Sequence, residues 1–159
     1  MYYCRKAQKI ICFEPNKENF LVLKKNVEIN KIKNVELFNK AVYPANKDQD
    51  LFYPEGSNYD AFSLVKVSKH SNKVKVFHPK KLVKLSGEKN IIKMDCEGSE
   101  FKIFPYLNLD KIDEIIAEYH LYEKEINHLS DIVKRLKKKN FRIIIKPYSK
   151  NEGLIHAFK

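Results

Sequence analysis

Asn90-Ile91-Ile92-Lys93-Met94-Asp95-Cys96-Glu97-Gly98-Ser99-Glu100 decides the fold. Its first half is a short, nearly continuous apolar run, the pattern of a strand buried on both faces. Its second half is an abrupt polar turn. Gly98 supplies the backbone freedom for that turn, and Ser99 is placed to cap a short helix running to about Tyr106. A buried strand, a polar turn and a helix are the unit of a parallel sheet covered by helices.

The same unit appears on either side. Upstream, Lys9-Ile10-Ile11-Cys12-Phe13 is a buried-type strand stopped at Glu14-Pro15-Asn16. Asn16 is an N-cap for a helix from Lys17 to about Asn30, with Phe20, Leu23 and Val27 at helical spacing. Tyr2 to Ala7 resembles the end of a preceding helix. Val35 to Val42 reads as a second strand. Leu51–Tyr53, Ala61–Val67 and Val74–Phe77 read as short strands in a β-rich insertion at about 50–78, and Pro79 to Leu85 as a helical turn or two. Downstream, Ile112 to Tyr119 is strand-like. Glu125 to Lys139 carries Ile126, Leu129, Val133 and Leu136 on one helix face, and Asn140 suits its end. Phe141–Lys146 and Leu154–Phe158 form a closing antiparallel pair. The expected architecture is one α/β domain over residues 1–159, a Rossmann-like three-layer sandwich with a mostly parallel sheet and an antiparallel edge.

The 159 residues fit one domain with an ordinary hydrophobic share of 43%. No apolar run is long enough to span a bilayer, and Met1-Tyr2-Tyr3-Cys4-Arg5-Lys6 does not open a signal peptide. A cytoplasmic location is the expectation. Cys4, Cys12 and Cys96 are an odd number without metal-ligand spacing, so neither a disulfide framework nor a metal site is expected. The net charge is +11, but the arginines are only Arg5, Arg135 and Arg142. Nucleic-acid recognition favours arginine's bidentate fork, and the lysines are spread along the whole chain. A nucleic-acid partner is therefore not expected.

In sheets of this kind ligands bind at the carboxyl ends of strands. Three such ends carry polar chemistry: Glu14; Asp95 with Glu97; and Glu118 with His120. An acid closing the second strand of such a fold accepts hydrogen bonds from ribose hydroxyls, and Glu14 has that position. Asp95, Glu97 and Glu100 lie within six residues and cannot all be buried without partners. Asp95 and Glu97 are expected to line a cleft, while Ser99 and Glu100 cap and complement the next helix. Glu118 and His120 alternate, so they share a face, and a carboxylate beside an imidazole makes an acid/base pair. His70, His78, His128 and His156 lack such company.

Phe13-Glu14-Pro15-Asn16, the helix ending Lys25-Asn26 with Asn30, Lys40-Ala41-Val42, Ile92 to Glu100, and Ala117-Glu118-Tyr119-His120 together resemble the FkbM family of S-adenosylmethionine-dependent methyltransferases. The resemblance runs in order from about Lys9 to Phe141. It implies a class I methyltransferase fold, S-adenosylmethionine as cofactor, and methyl transfer to a hydroxyl oxygen of a small-molecule acceptor. The aromatic residues Tyr53, Tyr59 and Phe62 between Leu51 and Phe77 either shape a pocket for a sugar or lipid-linked sugar or serve core packing. The resemblance places Glu14 on the ribose, Ala41 and Val42 near the adenine, and Asp95 and Glu97 at the methyl group and acceptor. Glu118 and His120 complete the site, with Asp95 or His120 as the general base. Such domains open with a strand and an Asp-x-Gly loop. Here the glycines are Gly56, Gly87, Gly98 and Gly153, so the first strand and its loop are expected to be missing, as in a fragment or a misplaced start. The alternative is an inactive methyltransferase-like remnant that binds a partner through its basic surface.

Overall fold

The structure, a computed structural model, describes residues 6–53, 62–65, 68–84, 89–121 and 126–159. Cys4, Tyr59, Glu125 and most of the expected N-terminal helix remnant lie outside the described residues.

Strand β1 (Ile10–Phe13) pairs in parallel with β2 (Val35–Phe38), and helix α1 (Lys17–Ile29) connects them. The helix begins where the sequence places it. The Asn16 side chain accepts a hydrogen bond from the Asn19 N–H at 2.9 Å, occupying one of the donors that a helix start leaves unpaired. Phe20, Leu23 and Val27 are half-buried and share a face, whereas Leu21 and Val22 are exposed.

The expected strand over Val35–Val42 divides in two. Its second part, β3 (Ala41–Val42), leaves β2 and pairs in parallel with β6 (Val76–Phe77). Asn39 sits at the break. Its side-chain amide donates to the Glu14 carbonyl at 2.8 Å and the Pro15 carbonyl at 3.1 Å. A side chain that takes over strand-end carbonyls competes with ladder pairing. The Phe13 ring lies 5.2 Å from Phe38 and 4.9 Å from Phe77, centroid to centroid, which packs the two parallel pairs together.

In the β-rich region β4 (Gln49–Tyr53) and β5 (His70–Val74) form an antiparallel pair. Of the strand expected at Ala61–Val67, the described part contributes one bridge, Ser63 to Phe52; residues 61, 66 and 67 lie outside the described residues. Ala41, Leu51 and Val74 make a small core here, with Phe62 and Leu64 packed against it. Phe62 therefore serves packing.

The larger core belongs to a four-stranded sheet. β7 (Ile91–Met94) runs parallel to β8 (Glu114–His120). β10 (Glu152–Phe158) lies antiparallel between β8 and β9 (Arg142–Pro147). The inward residues Ile115, Ala117, Tyr119, Ile155 and Ala157 are at most 4% exposed. Gly153 is required in β10: a Cβ there would come within 2.5 Å of the Tyr119 hydroxyl and 2.7 Å of the Lys146 carbonyl. Helix α2 (Glu100–Ile103) and helix α3 (Ile126–Lys138) pack on this sheet. Among the described side chains of α3, Ile132 and Leu136 are buried, while Leu129 and Val133 are partly buried. Arg135 donates to the carbonyls of Phe104 and Leu107, so one of the few arginines ties helices together. Among the described residues no strand pairs with the outer edge of β1 or of β7, and no helix is long and apolar enough to cross a membrane.

Candidate active site

The site forms where β7 and β8 end side by side. Their parallel register, Ile91↔Glu114 to Met94↔Ala117, carries both chains to the same edge. There the Asp95–Gly98 turn meets Glu118 and His120.

The turn is backbone-strained. Glu97 has φ 49° and Gly98 φ 95°. For glycine this conformation is free, but for glutamate a left-handed backbone costs on the order of 1–3 kcal/mol and persists only where its surroundings impose it. Glu100 imposes it from inside. Its carboxylate is 1% exposed; Oε1 accepts from the Cys96 N–H at 2.6 Å and Oε2 from the Gly98 N–H at 3.0 Å. Charge-assisted bonds to backbone donors are among the stronger hydrogen bonds in a protein. The expectation that Ser99 caps the helix is corrected: its hydroxyl is buried without a hydrogen-bond partner, and no side-chain cap bond forms. Glu100 also does more than complement a helix end, because its carboxylate holds the turn.

On β8 the burial pattern alternates, so Glu118 and His120 share the face opposite Ala117 and Tyr119. His120 Nε2 lies 3.5 Å from Glu97 Oε2, and Nδ1 lies 3.7 Å from Glu100 Oε1. The second distance is an ion pair longer than a hydrogen bond. The Glu100 carboxylate, aided by those of Glu97 and Asp95 and opposed by burial, raises the His120 pKa to about 9. Burial raises the Glu97 pKa. His120 pulls it back, while Asp95, Glu100 and Glu118 push it further up. Burial at Glu97 and the neighbouring carboxylates at His120 thus make these two residues hold protons more tightly than they would in water. The same burial and carboxylates push the Cys96 thiol well above its ordinary range. Cys96 is then a poor nucleophile, and it is half-buried rather than the fully buried hydrophobe the sequence suggested.

Asp95, Glu97, Glu118 and His120 therefore come together as the sequence anticipated. Glu100 joins them, and Asp95, Glu100 and His120 each offer one atom within 4.8 Å of the others. Such a triangle has the donor types for a metal ion, and both oxygens of Glu100 already accept from backbone N–H groups.

Glu14 stands on a different parallel pair, at the end of β1. Its Oε1 accepts from the Asn16 N–H at 2.8 Å, and Oε2 has no hydrogen-bond partner among the described residues. Burial raises its pKa, and the Asn16 N–H partly offsets the rise. Ala41 is 2% exposed and packs with Leu51 and Val74, whereas Val42 leans on the larger core. One residue that sequence reasoning missed is Ser63, whose hydroxyl donates to the Glu97 carbonyl at 2.5 Å. Nothing in its flanking sequence marks it.

The fold has counterparts among solved structures. A protein of Streptococcus mutans solved in complex with SAH is 13% identical, with a TM-score of 0.55 over 99% of this chain and 80% of that one. An rRNA methylase of Streptococcus thermophilus is 10% identical, with a TM-score of 0.55 over 99% of this chain and 77% of that one. At such identities the likeness is one of fold, an α/β fold of the class I methyltransferase kind. No curated protein sequence matches the chain. The family model of the methyltransferase FkbM domain matches residues 1–143. That span takes in all three parallel strand pairs, the acidic turn and His120, and the chain belongs to the FkbM methyltransferase family.

Proposed function

We propose that this methyltransferase uses S-adenosylmethionine and methylates a hydroxyl oxygen on a small-molecule, sugar or lipid-linked sugar acceptor. The observation that carries the reading is the pairing of His120 with Glu97 across the ends of β7 and β8. A hydroxyl becomes a competent nucleophile only as its proton leaves, and this cluster is built to hold protons.

The residues fit the cofactor. Glu14 Oε1 is fixed by Asn16, which leaves Oε2 to accept from ribose hydroxyls at the strand end where such acids act. The structural relative solved with SAH supports the same choice. Bound S-adenosylmethionine supplies an electrophilic methyl group on a sulfonium. What the chain adds is alignment and proton handling. Asp95, exposed at the turn, orients the acceptor. His120 already carries a proton at neutral pH, so it is a poor base there. Glu97 is the better base. Its raised pKa brings it nearer the working range of a general base, and the His120 imidazolium keeps its carboxylate oriented. Glu118, on the same face as His120, adds negative charge that raises the proton affinity of the Glu97 carboxylate.

Incubation with methyl-labelled S-adenosylmethionine and a panel of hydroxylated sugars and lipid-linked sugars tests the reading. Label is expected on an oxygen of at least one acceptor. Label on nitrogen or carbon acceptors alone would overturn the hydroxyl assignment.

A further inference from the structure

Ser63 belongs to the β-rich region, away in sequence from every element of the site, yet it touches the site's central carboxylate residue. Ser63 is 3% exposed, one of few buried polar residues. Two backbone hydrogen bonds with Phe52, at 2.8 and 3.0 Å, fix its main chain to β4. Its hydroxyl accepts from the Val65 N–H at 3.0 Å and donates to the Glu97 carbonyl at 2.5 Å. With an acceptor on one side and a donor on the other, the hydroxyl has one orientation available to it.

The Glu97 carbonyl is a telling place for that bond. Glu97 has the left-handed φ of 49°, and the peptide after it leads into Gly98, whose N–H is held by Glu100. Rotation about this peptide would relieve the strain and swing the Glu97 side chain away from His120. Glu100 grips the turn from the helix side, and Ser63 grips it from the β-rich side. A short hydrogen bond to a carbonyl that is otherwise outside any ladder counters the cost of the strained backbone.

We propose that Ser63 is a positioning residue for Glu97, through which the β4–β5 region sets the geometry of the proton-accepting carboxylate. A molecule that shifts Phe52 or Ser63 on docking shifts Glu97, so these two residues couple β4 to the carboxylate. This rests on the reading of Glu97 given above.

The test needs neither cofactor nor acceptor, so its failure and a failure of methyl transfer are separable. Backbone and histidine side-chain NMR spectra of the full chain would be compared for wild type, Ser63→Ala and Ser68→Ala. Ser68 is the control. It braces the same strand pair through the Tyr53 carbonyl at 2.6 Å and the His70 N–H at 3.1 Å, without touching Glu97. Ser63→Ala is expected to move the Glu97 and Gly98 amide resonances and the His120 ring resonances. It should also speed Gly98 amide exchange by about fivefold or more, the scale of one lost hydrogen bond. Ser68→Ala is expected to move Tyr53 and His70 and leave the site unchanged. The proposal is overturned if Ser63→Ala leaves the Glu97, Gly98 and His120 resonances in place. It is equally overturned if Ser68→Ala disturbs them as much.

Discussion

His120 Nε2 lies 3.5 Å from Glu97 Oε2, with the imidazole's other nitrogen 3.7 Å from Glu100. An imidazole between two carboxylates, one of them buried, is a cation at neutral pH. That single relationship separates the roles of the site. On the function proposed above, it assigns the neutral-pH base to Glu97, where sequence reasoning left His120 level with Asp95.

His120 is raised to about 9 from an ordinary value near 6.5. Its stabilising contribution is fully present below the unfolded value and is lost as pH rises through about 9. Glu97, also raised, works in the same direction from lower pH. Thermal unfolding followed from pH 6 to 10 is expected to show declining stability, with a shallower decline in His120→Gln. An NMR titration of His120 at its ordinary value would contradict this.

Glu97→Gln keeps the side chain's shape and removes its basicity. Loss of a general base typically costs about 10²–10⁴-fold in rate. The expectation is a fall of that size in kcat, with affinity for S-adenosylhomocysteine within about twofold of wild type. Unchanged kcat would remove Glu97 from the mechanism.

Glu14→Gln should act on the cofactor instead. A hydrogen bond involving a charged group contributes about 1.5–3 kcal/mol, so S-adenosylhomocysteine affinity is expected to fall roughly 10- to 100-fold. Because Gln still offers an oxygen to the Asn16 N–H, the α1 start should persist in circular dichroism.

Glu100→Gln puts an NH2 group where one of the two carboxylate oxygens accepts, so in the same pose it faces either the Cys96 or the Gly98 N–H with a donor. One buried donor is left unsatisfied, a loss of about 1–3 kcal/mol of folding stability, measurable by urea denaturation. The His120 titration should move down at the same time, since Glu100 is the largest influence raising it.

Much of this was legible in the residues. The apolar run Ile91–Met94 and the alternation of Glu118 with His120 placed two strand ends, and Asn16 marked a helix start. These signals are local: they depend on period, caps and turn residues. The break at Asn39 was not legible, because its partners, the Glu14 and Pro15 carbonyls, are 25 and 24 residues away in the chain. Glu100 looked like a helix-end acid because such acids are common there; only the folded turn brings two backbone N–H groups to its carboxylate. Ser63 reaches Glu97 across 34 residues, and a single serine between Phe62 and Leu64 in an apolar strand-like run carries no sequence signature of that contact.

The central claim is that the chain binds S-adenosylmethionine through Glu14 and transfers its methyl group with Glu97 accepting a proton. Isothermal calorimetry with S-adenosylhomocysteine on the wild type, Glu14→Gln and Glu97→Gln tests it most directly. The account predicts one-to-one binding by the wild type, weakened in Glu14→Gln and preserved in Glu97→Gln. Absence of binding to the folded wild type, or equal affinity in all three, would contradict it.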